Sequence, residues 1–137
     1  MAIPNVGGGS QIGDGNVNEV KLGVQFTPPT ATSTATLTVA QLMGGILLGS
    51  PSSTAATYTL PTVALTEAAL GNAKNYSSFD LAVVNVDGSG SGVITMAVGT
   101  GWTAVGLMTI AATAGTATMF RMFKTGTGAW TICRIAE

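Results

Sequence analysis

The side chains that could carry out chemistry are few in this chain and widely separated. Its 137 residues include no His, five Lys and Arg residues together, and six acids, which are Asp14, Glu19, Glu67, Asp80, Asp87 and Glu137. His is the commonest general base and metal ligand in proteins. No two acids are spaced like an acid–base pair, and Lys74 has no sequence neighbour that would activate it as a nucleophile. We therefore expect no enzymatic activity, no catalytic residue, no cofactor and no metal site.

Two polar segments come closest to ligand-binding motifs. Residues 14–19 begin like a calcium loop, but an EF-hand loop has Gly at its sixth position and Glu at its twelfth, where this chain has Glu19 and Gln25. A polar turn is the preferred interpretation, and a structural calcium ion is the alternative. Residues 87–92 lack the Lys-Ser/Thr ending of a phosphate-binding loop, so they predict a hairpin turn.

The aromatic and sulfur side chains give a third group of candidates. Trp102 and Trp130 could stack on sugar rings, but a Trp in a β protein is more often part of the core or of an interface, which is what we expect here. Cys133 is the single Cys, which excludes an internal disulfide. Its apolar neighbours predict a buried and inert thiol.

The composition points to a protein that is covered by partners. Hydrophobic residues make up 46% of the chain and charged residues 8%, whereas a typical soluble domain carries roughly 25% charged residues. Such a surface must consist of small polar residues or be buried against other molecules. The basic residues are not clustered, so we expect no nucleic-acid partner. Because the apolar runs are interrupted well short of about 20 residues and the N-terminus lacks an export signal, we expect no membrane partner and synthesis in the cytoplasm.

Alternation of apolar and polar residues predicts mainly strands. Residues 1–18 are rich in Gly and Asn and predict a flexible arm, and residues 19–137 predict a single all-β sandwich domain. The first strand is expected at 19–26, before two Pro residues, and one short helix at 61–70. A tight hairpin is expected at 126–128.

Several predicted strands are apolar on both faces, most clearly Met-Phe-Arg-Met-Phe at 119–123. One face can fill the core, but the other needs a cover, because an exposed apolar strand face is an aggregation hazard. A symmetric oligomer supplies such a cover. We therefore expect an obligate oligomer, with core or subunit-interface positions at Phe120, Met122, Phe123, Trp130 and Ile132.

The succession of short segments between residues 37 and 135 resembles a family of virion proteins. The segments are LTVAQL at 37–42, GILLGSP at 45–51, TYTLPT at 57–62, SFDL at 78–81, VN at 84–85, GTGW at 99–102, VG at 105–106 and FR at 120–121. They are similar to those of β-rich structural proteins of tailed bacteriophages, including capsid decoration (cement) and head-fibre proteins. The resemblance covers about three quarters of the chain and implies trimers of jelly-roll-like subunits on a capsid lattice.

The resemblance implies a location on the capsid exterior after synthesis in the host cytoplasm. The expected function is that of a cement protein, which oligomerises, binds the major capsid protein and stabilises the head. The expected contact arm lies within residues 1–26 and includes Ile3, Val6, Ile12, Val17, Val20 and Leu22.

Two other functions stay open from the sequence. One is a fibre or receptor-binding module that recognises a host glycan, in which Trp102, Tyr76 and residues 87–92 would matter. The other is a small outer-membrane protein.

Overall fold

The computed structural model describes residues 23–87 and 91–137 of the chain. In these two stretches it contains ten strands and two short helices. The strands are β1 (Thr30–Ala31), β2 (Ala35–Thr36), β3 (Ile46–Gly49), β4 (Ala56–Thr59), β5 (Ser78–Asn85), β6 (Ile94–Ala97), β7 (Trp102–Val105), β8 (Thr109–Ile110), β9 (Thr116–Gly126) and β10 (Ala129–Ala136). The helices are α1 (Val39–Leu42) and α2 (Val63–Ala69).

The strands form two sheets. The larger has six strands in the order β1-β3-β5-β9-β10-β7, and the smaller has four in the order β2-β4-β6-β8. The all-β prediction is therefore confirmed. Among the described strands, five of the eight pairings are parallel. A jelly roll is assembled from antiparallel Greek keys, so these pairings do not confirm the jelly-roll prediction.

Both helices begin with a Thr cap that satisfies free backbone N–H groups. The Thr38 hydroxyl accepts a hydrogen bond from the backbone N–H of Gln41, while the Gln41 side chain accepts one from the backbone N–H of Thr38, a capping box. Thr62 caps α2 by accepting from the backbone N–H of Leu65. The helix predicted at 61–70 is thus confirmed as α2, whereas α1 is a second helix beyond the single one expected. No helix in the described parts of the chain is long and apolar enough to span a membrane.

The hydrophobic core contains residues of both sheets. Leu81 and Val83 on β5 and Phe120 and Met122 on β9 are fully buried, as alternate positions on neighbouring strands should be when one side of a sheet is covered. The four-stranded sheet and the connections contribute Tyr58, Leu60, Ile94, Met96 and Ile110 to the same core.

Two predictions about the local backbone are wrong. The strand expected at 19–26 is absent from its described part, since residues 23–26 pair with no strand and Val24 and Phe26 are 82% and 81% exposed. Alternation marks a strand-like face, but it does not guarantee a neighbouring strand to pair with. The hairpin expected at 87–92 is also wrong, because β5 and β6 belong to different sheets and the connection crosses between them.

Candidate interaction surfaces

The six-stranded sheet has an inner face in the core and an outer face turned away from it. The register places Ile46, Ala82 and Met119 in one row and Leu48, Val84 and Ala117 in the next. These positions alternate with the buried ones, so they point outward. We call this surface the outer face. Its apolar and charged positions are Ile46, Leu48, Asp80, Ala82, Val84, Val105, Ala117, Met119, Arg121, Phe123 and Cys133, and its hydroxyl-bearing positions are Thr30, Ser78, Thr103 and Thr131.

The outer face is mostly apolar and partly accessible. Met119 is 38% exposed and Val105 is 49% exposed, while Ile46, Leu48, Ala82 and Val84 are half-buried. An apolar sheet face of this kind is typical of a surface that another protein covers.

An ion pair lies near the centre of the outer face. Arg121 donates from Nε to Oδ1 of Asp80 at 2.7 Å and from Nη2 to Oδ2 at 2.9 Å. The hydrogen bonds from Arg121 hold the pKa of Asp80 below its usual range, and those to Asp80 raise the pKa of Arg121. Both groups therefore stay charged at neutral pH, and their charges cancel within the face.

A second surface feature is a pocket of about 260 Å³ between the ends of the two helices and the start of β5. The rings of Phe79 and Trp130, whose centroids are 5.9 Å apart, form its apolar side. The remaining lining residues are Met43, Leu70, Asn72, Ala73, Ser77 and Ser78. None of these side chains ionises near neutral pH.

Glu67 on α2 fixes the position of Trp130 beside this pocket. Its carboxylate accepts hydrogen bonds from the backbone N–H of Gly128 at 3.2 Å and from Nε1 of Trp130 at 3.2 Å, and it pairs with Nζ of Lys124 at 3.1 Å. The hydrogen bond from Lys124, followed by those from Gly128 and Trp130, lowers the pKa of Glu67 against the opposing effect of desolvation. The network ties α2 to the β9–β10 hairpin, which the structure places at the predicted position.

Four of the five predicted core or interface residues belong to the core. Phe120, Met122, Trp130 and Ile132 are fully buried, whereas Phe123 is half-buried on the outer face. The arm residues predicted to contact a capsid, which are Ile3, Val6, Ile12, Val17, Val20 and Leu22, lie outside the described residues.

The structure separates the residues proposed for glycan recognition. Trp102 is 7% exposed, donates from Nε1 to the Pro61 carbonyl at 2.8 Å and packs against Trp130, so the prediction of a core Trp is confirmed. Tyr76, in contrast, is 77% exposed. Asp87 is buried; residues 88–90 lie outside the described part of the chain.

Sequence reasoning misplaced Cys133 and missed Asn85. Cys133 is half-buried on the outer face rather than fully buried, because Trp130 and Ile132 take the inward positions of β10. Asn85 is fully buried, and its Nδ2 donates to the carbonyls of Gly92 and Ala111 while its Oδ1 accepts from the N–H of Asp87. A polar residue ending an apolar strand was the only signal of this role in the sequence.

Among the described residues, no group of three or more His, Cys, Asp and Glu side chains could hold a metal ion. Comparison with protein-family models, with curated proteins and with solved structures finds no match to this chain.

Proposed function

We propose that this chain is a capsid decoration protein of a tailed bacteriophage, which oligomerises on the capsid exterior and binds the major capsid protein. The observation that carries the proposal is the outer face, an apolar sheet surface whose one ion pair is internally neutral. A face of this kind favours contact with other proteins over free exposure to water. The proposed location on a phage capsid comes from the segments that resemble phage decoration proteins. The same resemblance is the source of the proposed trimeric, jelly-roll-like organisation.

The energy available from such a surface supports a stable assembly. An apolar patch of several hundred Å² contributes on the order of 10 kcal/mol at about 25 cal/mol per Å², before the costs of association are subtracted. This is comparable to the whole stability of an ordinary domain. A decoration protein works by bridging neighbouring capsid subunits, and burial of this size would hold its own subunits together while their arms contact the capsid.

The described end of the proposed arm also supports capsid contact. Val24 and Phe26 are largely exposed and are two residues apart in a segment that pairs with no strand. Gln25 anchors the segment to the domain through a hydrogen bond from Nε2 to the Gly44 carbonyl at 2.9 Å. Two apolar side chains held at the surface in this way can pack into a pocket or groove of a partner protein without unfolding the two-sheet domain.

The test is the addition of purified chain to capsids assembled without it. We expect regular decoration of the capsid surface in electron micrographs and co-sedimentation with the capsids. Removal of residues 1–18, or Phe26→Ser, should weaken binding, whereas Leu65→Ser, at another exposed apolar position, should leave binding unchanged. Labelling at the tail tip alone, or no binding to capsids, would contradict the proposal.

A fibre module that binds a glycan is the second candidate. The exposed ring of Tyr76 and the polar side chains of Asn72, Ser77 and Ser78 at the nearby pocket favour it. The burial of Trp102 counts against it, because that ring offers no free face for a sugar. Binding to immobilised host glycans that Tyr76→Ala abolishes, with labelling at the tail tip, would replace the decoration proposal with this one.

A further inference from the structure

The charged pair of the outer face remains open to a partner after its internal hydrogen bonds have formed. Asp80 and Arg121 lie directly opposite each other on β5 and β9, and their side chains are 37% and 50% exposed. A guanidinium group has five N–H donors and a carboxylate has about four acceptor positions. The two internal hydrogen bonds therefore leave donors on Arg121 and acceptor positions on Asp80 for a second molecule.

The surroundings of the pair restrict what can cover it. Met119 and Phe123 flank Arg121 on β9, Cys133 lies beside it on β10, and Ser78 and Ala82 flank Asp80 on β5. No other outward position in the paired parts of β3, β5, β7, β9 and β10 carries a charge. A molecule that covers this surface without leaving an unpaired charge must be largely apolar. Opposite the pair it must offer hydrogen-bonding groups, and an acid and a base at matching positions use the free donors of Arg121 and the free acceptor positions of Asp80 most fully.

A second copy of the chain meets both conditions with its own outer face. A two-fold axis sets the same patch of two subunits against itself, so that residue i meets j and j meets i. We propose that the outer face binds the outer face of a second copy, with Arg121 of each copy facing Asp80 of the other. This inference rests on the oligomerisation part of the proposed function and names the surface that would carry it.

Face-to-face packing of two sheets is a common arrangement in β proteins. Sheets stack face to face at about 10 Å with their apolar side chains interdigitated. Because each Asp80–Arg121 pair is neutral before contact, the two copies bring no net charge into the interface. The reciprocal pairing then specifies the relative orientation of the copies, which apolar contacts alone define poorly.

The test is a set of charge reversals followed by analytical ultracentrifugation in the absence of capsids. Wild-type chain should sediment at twice its 13.6 kDa mass or as a larger even number of subunits, such as two trimers joined through their outer faces. A lone trimer would contradict the pairing. Arg121→Asp leaves two acids on the face and Asp80→Arg leaves two bases, so each variant should lose this association. An equimolar mixture of the two variants should recover it, because an acidic face then meets a basic one.

A double variant with both reversals is the matched control for folding. Asp80→Arg combined with Arg121→Asp keeps the pair within each chain, so it should fold and associate with itself. It should not associate with wild-type chain, because like charges would then meet across the interface. This control keeps the test decisive even where a single reversal prevents folding.

Substitutions of apolar residues by Lys test the same surface without changing Asp80 or Arg121. Met119→Lys should abolish association, whereas Leu65→Lys, on the exposed side of α2, should not.

Three further results would overturn the inference. They are a monomeric wild type, an oligomer that is insensitive to the outer-face variants, and a double variant that associates freely with wild-type chain. A monomeric wild type would also count against the oligomerisation part of the proposed function, whereas the other two results would not. None of the three bears on capsid binding, which the decoration experiment tests by itself.

Discussion

The two faces of the six-stranded sheet are similar in hydrophobicity but differ in what covers them. On β9, Phe120 and Met122 are fully buried against the rest of the core, while Met119 and Phe123 on the same strand point outward. The inner face is covered by the chain itself. The outer face carries the exposed Asp80–Arg121 ion pair. The inward residues next to it on β5 and β9 carry no charge. Apolar residues on both sides of a strand therefore indicate two contacts, only one of which the described fold makes.

The largest expected effect is a difference in folding stability between a variant of the inner face and a variant of the outer face. Phe120→Ala should destabilise the domain by about 3–5 kcal/mol, because it removes a fully buried ring and leaves a cavity. Met119→Ala, one residue away on the outer face, should cost less than about 1 kcal/mol in the isolated subunit. Urea denaturation under conditions where the chain is monomeric measures both. Similar losses for the two variants would show that the outer face is also covered within one chain.

The inner residues could be predicted from the sequence because alternation and burial depend on local pattern. Phe120, Met122, Trp130 and Ile132 were identified as core or interface positions, and all four are core. The helix at 61–70 was predictable as well, because Glu67, Ala68, Ala69 and Leu70 are good helix formers.

The pairing of the strands could not be predicted in the same way. Parallel partners such as β7 and β10 are far apart in the chain, and nothing in either segment specifies the other. The hydrogen bond from Gly128 to Glu67 spans 61 residues and is equally invisible to local pattern. The segment at 19–26 failed for a related reason, because its alternation does not reveal whether an edge is available for pairing.

The second largest expected effect concerns the buried hydrogen bonds of Asn85, which join the two sheets at the end of β5. Asn85 links the end of β5 to the connections that lead to the other sheet, through the carbonyls of Gly92 and Ala111. Asn85→Ala should destabilise the domain by about 1–3 kcal/mol, because these buried groups lose their partner. Thermal or urea denaturation measures the loss, and Val84→Ala, at the adjacent outward position, is the control. A change no larger than that of the control would mean that water replaces the amide.

A smaller effect of opposite sign is expected at Thr118, also on the inner face. Its hydroxyl is buried and has no hydrogen-bond partner among the described residues. Thr118→Val replaces that hydroxyl with a methyl group of similar size, so it should stabilise the domain by about 1 kcal/mol. Thr103→Val, at an exposed position of β7, should change the urea midpoint little. A loss of stability in Thr118→Val would indicate that the hydroxyl is satisfied after all.

The smallest expected effect is the loss of stability at low pH, to which the two ion pairs contribute differently. The pKa values of Glu67 and Asp80 are both lowered in the folded chain, by Lys124 and Arg121 respectively. A carboxyl group with a lowered folded-state pKa contributes stability above its unfolded value, at about pH 4, and loses that contribution as the pH falls through the folded value. The melting temperature should therefore decrease between neutral pH and about pH 3.

The two pairs should not share this decrease equally. Glu67 also accepts hydrogen bonds from Gly128 and Trp130 and lies in a less exposed pair, whereas Asp80 has only the solvent-exposed Arg121 among its recorded partners. Exposed pairs contribute little to stability. Glu67→Gln should therefore reduce the acid-induced decrease more than Asp80→Asn does in the monomeric chain. If Asp80→Asn had the larger effect, the outer-face pair would be buried, and the contrast between the two faces would have to be given up.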